Sequence, residues 1–160
     1  MGLCKKEIIE TISTPFFYSI KLTFSERGLV SVDFIEKCGS QLLKHDFSFV
    51  TEQFLRYFMG KRVDFSEDYL LLNLTPFTEK VLLNCRKIPY GKTVTYKGLA
   101  EMCGIPNGQR AVGKALTQNP LPIIIPCHRV IGADGSLTGF MGKDGIEIKR
   151  SLLRLEGILI

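Results

Sequence analysis

Pro126-Cys127-His128-Arg129-Val130 puts a thiol beside an imidazole, at the end of the apolar run Ile123-Ile124-Ile125, which lies between two prolines. A thiol becomes a strong nucleophile as its thiolate, and a nearby base or a helix N-terminus raises the thiolate fraction. The competing reading is a buried cysteine beside a surface histidine, since unpaired cysteine is among the residues most often buried. Adjacent residues rarely place a thiol and an imidazole in direct contact. Chemistry here therefore calls for a relay through water rather than a direct Cys-His dyad, and the pentapeptide alone leaves both readings open.

The remaining cysteines are Cys4, Cys38, Cys85 and Cys103, so the total is odd and no C-x-x-C pair occurs. With two histidines in the chain, Cys4, Cys38 and His45 have metal-binding types without metal-site spacing, and no metal is expected. Reduced thiols fit an intracellular compartment. No stretch approaches the roughly 18 apolar residues of a membrane span, and Met1 to Glu7 lacks the apolar core of a secretory signal. The expectation is a cytoplasmic protein with no membrane contact.

Charge is unevenly spread. Residues 1 to 75 hold 9 Lys/Arg against 10 Asp/Glu, whereas residues 76 to 160 hold 12 against 6. The basic half carries the cysteine motif. It suits a polyanion, because Lys and Arg neutralise phosphates and release counterions; a solvated basic face is the alternative.

Three short β-rich runs open the chain, Ile8 to Thr14, Phe17 to Ser25 and Leu29 to Ile35, with Ser25-Glu26-Arg27-Gly28 as the turn joining the last two. They predict an antiparallel meander. From Asp46, a candidate N-cap, Phe47, Val50, Phe54, Leu55 and Phe58 recur at helical spacing until Gly60. Scattered carboxylates and the lack of a phosphate loop make residues 1 to 75 a support domain.

In residues 76 to 160, Thr75 and Pro76 start a helix whose apolar stripe is Phe77, Val81, Leu82 and Cys85. Thr95 caps a second helix, Tyr96 to Cys103, closed by Gly104, and a third runs from Gln109 to Gln118. Two short helices joined by a Gly-containing turn outline a helix-turn-helix. Gly108, Ala111, Gly113 and Ala115 leave the third helix small-sided, with Arg110 and Lys114 four residues apart on one face. That helix suits either close approach to a groove or tight packing on a neighbouring helix. Val130-Ile131-Gly132 and Leu137 to Phe140 read as extended pieces around a turn, Met141 to Gly145 as a loop, and Ile146 to Leu155 as a last helix with Ile148, Leu152 and Leu155 inward.

Ile125-Pro126-Cys127-His128-Arg129-Val130, preceded by Arg110-Ala111-Val112-Gly113 and Asn119-Pro120 and followed by Leu152 to Gly157, resembles the O6-alkylguanine-DNA alkyltransferases. The match spans residues 76 to 160, and residues 1 to 75 match in outline as the family's variable N-terminal domain. The resemblance implies an α+β fold: a small N-terminal antiparallel sheet with a helix in ribonuclease H-like outline, then a mainly helical C-terminal domain with the helix-turn-helix. It implies irreversible transfer of an alkyl group from guanine O6 to Cys127, with His128 taking the thiol proton through water and Glu156 orienting that histidine. Asn119 would brace the turn before the cysteine. Arg110 would enter the duplex in place of the extruded nucleotide, and Tyr96 would help rotate that nucleotide. Ala111, Gly113, Lys114 and Arg129 would complete the DNA-binding surface, and Val130, Phe140 and Met141 the pocket, the Val130 carbonyl meeting the guanine amino group. No cofactor is implied, and the partner is double-stranded DNA carrying O6-alkylguanine, bound by a monomer. Flipping is needed because a stacked, paired base hides its O6 substituent from a thiolate.

Overall fold

In the computed structural model, the residues described are 7–42, 48–66, 68–141 and 144–160. The chain divides into two compact units, up to Leu72 and from Asn73 onward.

The first unit is built on a meander, β1 (Ile8–Ser13), β2 (Tyr18–Ser25) and β3 (Gly28–Glu36), paired antiparallel in the order β1-β2-β3. Ser25 pairs with Gly28 across a two-residue turn. Gly28 has φ +141°, and a Cβ there would lie 3.0 Å from the Asp68 carbonyl oxygen, so only glycine fits. That approach lets the 68–70 segment join the β3 edge, with Leu29 N–H donating to Asp68 O at 3.0 Å and Leu70 N–H to Leu29 O at 2.8 Å. On the opposite edge Thr11 and Gln41 exchange two backbone bonds of 2.8 Å. Both edges thus have short partners, which sequence periodicity did not announce.

Helix α1 (Ser48–Phe58) buries Val50, Phe54, Tyr57 and Phe58 in the same unit as the core residues Ile12, Ile20, Leu22, Phe24 and Val32 of the sheet. Buried Glu10 of β1 accepts a hydrogen bond from Thr51. The expected cap Asp46 and core residue Phe47 lie outside the described residues, as do Cys4 and His45. Gly60 ends the element at φ +76°, as its position after the apolar stripe predicts.

The second unit holds α2 (Pro76–Arg86), β4 (Val94–Thr95), α3 (Tyr96–Met102), α4 (Gln109–Leu116), a one-turn 3-10 helix (Cys127–Arg129), β5 (Val130–Ile131) and α5 (Gly145–Leu155). The caps are those the sequence predicts: Thr75 Oγ1 accepts from Thr78 N–H at 3.2 Å, and Thr95 Oγ1 from Gly98 N–H at 3.0 Å. In α2 the inward face is Thr78, Val81, Leu82 and Cys85, while Phe77, expected in that stripe, is exposed. Gly104 at φ +70° turns the chain between α3 and α4.

Two further features differ from expectation. Leu137 to Phe140 forms no strand, and Gly132 N–H instead closes a turn onto Ser136 O at 2.9 Å. Val130 and Ile131 do extend, but as a parallel pair with Val94 and Thr95. This two-residue ladder ties the start of α3 to the exit from the cysteine turn, across more than thirty residues of chain. No helix among the described residues is long and apolar enough to cross a membrane.

Candidate active site

The cysteine turn is set up by the segment before it. Residues 121 to 130 are all buried, and the chain passes through Ile123 at φ +78°, a region that β-branched residues enter only when the surroundings compel it. Asn119 supplies that compulsion. Its Oδ1 accepts from Leu121 N–H at 2.9 Å, and its Nδ2 donates to Ile125 O at 2.9 Å and to Cys127 Sγ at 3.2 Å. One amide therefore closes the loop and touches the sulfur. We expect Asn119→Ala to cost about 1–3 kcal/mol in chemical denaturation, since it strands buried loop groups, and to slow reaction of the Cys127 thiol with a small electrophile.

Cys127 is 7% exposed, at the floor of a cleft of about 460 Å³ lined by Tyr96, Leu116, Asn119, Phe140, Met141 and Ile146, among others. Burial pushes its thiol above the ordinary cysteine value; the Asn119 hydrogen bond and the Lys149 charge pull the other way. The resting sulfur is thus a thiol, and it must surrender a proton to react.

A 3-10 helix turns about 120° per residue, so three successive side chains leave Cys127–Arg129 in three directions. His128 is fully buried and its Nε2 lies 2.7 Å from Glu156 Oε1. The carboxylate accepts, so Nε2 carries the hydrogen and Nδ1 the lone pair. Nδ1 is buried and makes no hydrogen bond among the described residues. Burial pushes the imidazole pKa down, outweighing the Glu156 carboxylate that favours the cation. We take the neutral ring as the resting state, because the carboxylate's charge is already matched by a guanidinium.

That guanidinium belongs to Arg129, which corrects an expectation. Placed by sequence on the DNA-contacting surface, Arg129 is buried: Nε and Nη2 donate to Glu156 at 2.9 and 3.0 Å, and Nη1 donates to Ile88 O at 2.6 Å. The reason is the rotation of the 3-10 turn, which points it away from the cleft. Gly91 N–H adds a bond to Glu156 Oε2 at 3.2 Å. Hydrogen bonds from His128 and Arg129, with the Arg129 charge, hold the Glu156 carboxyl well below the usual carboxylate range despite burial that pushes it up.

Tyr96, half-buried at the start of α3, donates from its hydroxyl to Thr138 O at 3.0 Å. Arg110, Ala111 and Lys114 are exposed on α4, Gly113 is half-buried, and Val112, Ala115 and Leu116 face inward. Tyr96, Lys97, Arg110, Gly113, Lys114 and Thr138 line an open groove of about 610 Å³ that shares Tyr96, Thr117 and Gly139 with the thiol cleft. Phe140 is buried and Met141 exposed, both lining the cleft. Gly145 starts α5 against the Phe140 carbonyl, which any Cβ would overlap. Val130 does not line the cleft; its carbonyl accepts from Lys149 Nζ at 2.6 Å.

Lys149 is the residue that sequence reasoning missed. It is fully buried on α5, where Ile148, Leu152 and Leu153 also face inward. The available signal was its place seven residues before Glu156, two helical turns along the same face.

A family model described as the 6-O-methylguanine DNA methyltransferase DNA binding domain matches residues 76–158. A second, the ribonuclease-like domain of the same methyltransferase, matches residues 8–71. The chain belongs to this family. It is 42% identical to a methylated-DNA--protein-cysteine methyltransferase of Metallosphaera sedula over 94% of this chain and 93% of the relative. It is 40% identical to one of Methanosarcina barkeri over 94% and 95%. Among solved structures, the O6-methylguanine methyltransferase of Mycobacterium tuberculosis superposes with a TM-score of 0.81 at 35% identity, covering 94% of this chain and 93% of that one. The M. tuberculosis OGT in complex with DNA superposes at 0.78 with 37% identity, covering 91% and 90%. The α+β fold of this chain is that of the methyltransferase family, and the match to the family's DNA-binding-domain model lies within the basic second unit.

Proposed function

We infer that this protein repairs DNA by moving the alkyl group of O6-alkylguanine onto its own Cys127, once per molecule. The observation that carries the reading is the buried thiol at the cleft floor, braced by Asn119 and next in sequence to a histidine bonded to Glu156. Family membership supplies the reaction class.

The balance of the step is simple. The Cys127 proton passes through a water to His128 Nδ1, the sulfur attacks the alkyl carbon, and a carbon–sulfur bond forms as the carbon–O6 bond breaks. The electron pair stays on guanine, which takes up a proton from the surrounding water and leaves neutral, while His128 returns the Cys127 proton to water and the protein keeps a thioether. Glu156 fixes the imidazole with Nε2 protonated and stabilises the imidazolium that forms, the role of the third member in a nucleophile-base-orienter set. A thioether carbon–sulfur bond is not cleaved by water or by another thiol under ordinary conditions, so turnover ends at one. Neutral His128 suits this base role, because a protonated ring could accept nothing.

The DNA side of the reading rests on α4. Arg110, Ala111, Gly113 and Lys114 offer a narrow, small-sided, basic helix face that suits a groove, and Arg110 is long enough to fill the stack left by a flipped nucleotide. Tyr96 stands between this face and the cleft, where it would crowd the phosphate and guide the base inward. Residues 76–160 act on DNA and residues 1–75 support them; the protein works as a cytoplasmic monomer on duplex carrying the lesion. Contacts made mainly to phosphate make binding sequence-tolerant and salt-sensitive.

The deciding measurement is a stoichiometric transfer assay with labelled O6-methylguanine duplex. One methyl should appear per protein, on the peptide containing Cys127, and the DNA should lose it; an unmodified peptide after incubation with excess duplex would refute the reading. For Arg110→Ala we expect transfer from duplex at least tenfold slower, with transfer from the free modified base unchanged. Parental rates on duplex would remove Arg110 from the flipping role.

A further inference from the structure

The turn at residues 88–91 holds the charged pair behind His128, and none of its residues lines the thiol cleft. Lys92 N–H closes the turn onto Pro89 O at 3.2 Å, and Gly91 passes through φ +73°, where a Cβ would lie 3.3 Å from the Glu156 carbonyl oxygen. Four contacts run from this turn to the relay. Ile88 O accepts from Arg129 Nη1 at 2.6 Å, and Gly91 N–H donates to Glu156 Oε2 at 3.2 Å. Tyr90 makes the other two. Its hydroxyl donates at 3.1 Å to the carbonyl of Leu155, the residue before Glu156, and its ring centre lies 5.8 Å from Arg129 Cζ.

The ring matters because of what Arg129 does. Its guanidinium is buried and is the counter-charge of the buried Glu156 carboxylate, reached through Nε and Nη2. A carboxylate matched in this way draws little extra proton onto a neighbouring imidazole, whereas an unmatched one favours imidazolium. An aromatic face holds a desolvated guanidinium more strongly than it would one in water. Half-buried Tyr90 supplies that face.

We propose that Tyr90 is a positioning residue for alkyl transfer, its ring seating Arg129 on Glu156 so that His128 rests with Nδ1 free to accept the Cys127 proton. The proposal rests on the alkyl-transfer reading above and adds to it a residue outside the cleft. The action is indirect. Tyr90 holds Arg129, Arg129 matches Glu156, and Glu156 so matched orients the imidazole without charging it.

The groups around this assembly give the effect a sign. They are Glu156 and Lys149 of α5, Arg129 and Cys127 of the 3-10 turn, Cys85 of α2, and Tyr90 itself. Burial pushes both thiols up, and burial followed by the Glu156 charge pushes the Tyr90 phenol up, so these three stay neutral near pH 7. Burial pulls the Lys149 ammonium down to about 8, a titration shared by parent and variants. For His128, burial lowers the pKa, the Glu156 hydrogen bond and charge oppose it, and the Arg129 charge assists. Loosening Arg129 therefore raises the imidazole midpoint. Below that midpoint the ring is protonated and cannot serve as base; above it the base is restored.

The experiment compares the parent with Tyr90→Leu, which keeps apolar bulk without a ring, and Tyr90→Phe, which keeps the ring without the hydroxyl. Titration of His128 is followed by NMR of the imidazole nitrogens. Single-turnover methyl transfer from saturating methylated duplex is measured over the same pH range. In Tyr90→Leu the His128 midpoint should rise by about one unit, the lower end of what a nearby charge does. Transfer should then be about tenfold slower than in the parent on the acid side of both midpoints, with the ratio falling toward one above them. Tyr90→Phe should follow the parent in both readouts. An unmoved midpoint in Tyr90→Leu, or a rate ratio constant with pH, would overturn the proposal, as would a rise in Tyr90→Phe equal to that in Tyr90→Leu. Tyr90→Met takes the place of Tyr90→Leu if that variant fails to fold. Failure of the parent to become methylated would sink the alkyl-transfer reading, and the imidazole titration, which needs no alkylated DNA, separates that failure from failure of the Tyr90 contact.

Discussion

Cys127→Ser should abolish alkyl transfer while leaving DNA binding intact. A hydroxyl is far harder to ionise than a thiol, and the buried position, already unfavourable to a thiolate, makes a serine alkoxide out of reach. A loss of roughly a thousandfold or more is expected, in line with removal of a nucleophile from a site whose members act as a unit. Little else should change. Serine is slightly smaller, and Asn119 Nδ2, 3.2 Å from the sulfur, can donate to the hydroxyl, so stability should stay within about 2 kcal/mol of the parent. Arg110 and Lys114 are exposed on α4, on a surface that the substitution does not touch. The measurement pairs a labelled-methyl transfer assay with a binding titration on methylated duplex. Methyl recovered on another residue of the variant at the parental rate would move the acceptor away from Cys127.

Glu156→Gln should be the most damaging single change to the fold. The carboxylate has 0% side-chain exposure and receives His128, two nitrogens of Arg129 and the Gly91 amide. Glutamine keeps one acceptor and turns the other into a donor aimed at a guanidinium. Arg129 is then left buried without its counter-charge, at a cost of about 3–5 kcal/mol for breaking such a pair. Transfer should slow as well, because nothing anionic remains to stabilise His128 as it takes the proton.

The same carboxylate gives a pH signature with a definite sign. Its folded pKa lies below the ordinary value of 4.5, so its contribution to stability is complete above that value and is lost as pH falls below it. Denaturant midpoints of the parent should therefore drop below about pH 4.5, and Glu156→Gln should flatten that acid limb. An unchanged acid limb would show that the ion cluster is not what acid breaks.

The two edge bridges of the sheet and the corrected position of Arg129 share a lesson. Thr75 and Thr95 were legible as caps because a cap bonds a residue three positions on, and the chain's local order contains both partners. The meander and its Gly28 turn were legible for the same reason. Arg129 was not, since its partners, Ile88 and Glu156, lie 41 residues before and 27 after it. Nothing near His128 in the sequence says that the next side chain turns inward.

The sequence by itself determined the helices, with the Thr75 and Thr95 caps of two of them, the nucleophile with its neighbouring histidine, and, by resemblance, the reaction. Each depends on residue type and on spacing within a turn or two of chain. Only the tertiary structure decided which charges face the sulfur. The parallel pairing of Val94-Thr95 with Val130-Ile131 brings Tyr96 to the thiol cleft, and the packing of α5 brings Lys149 and Glu156 there. Burial then holds Cys127 as a thiol and His128 as a neutral base, while hydrogen bonds from His128 and Arg129 keep Glu156 a charged carboxylate against it. These states follow from desolvation and from contacts made across dozens of residues, which no local pattern encodes.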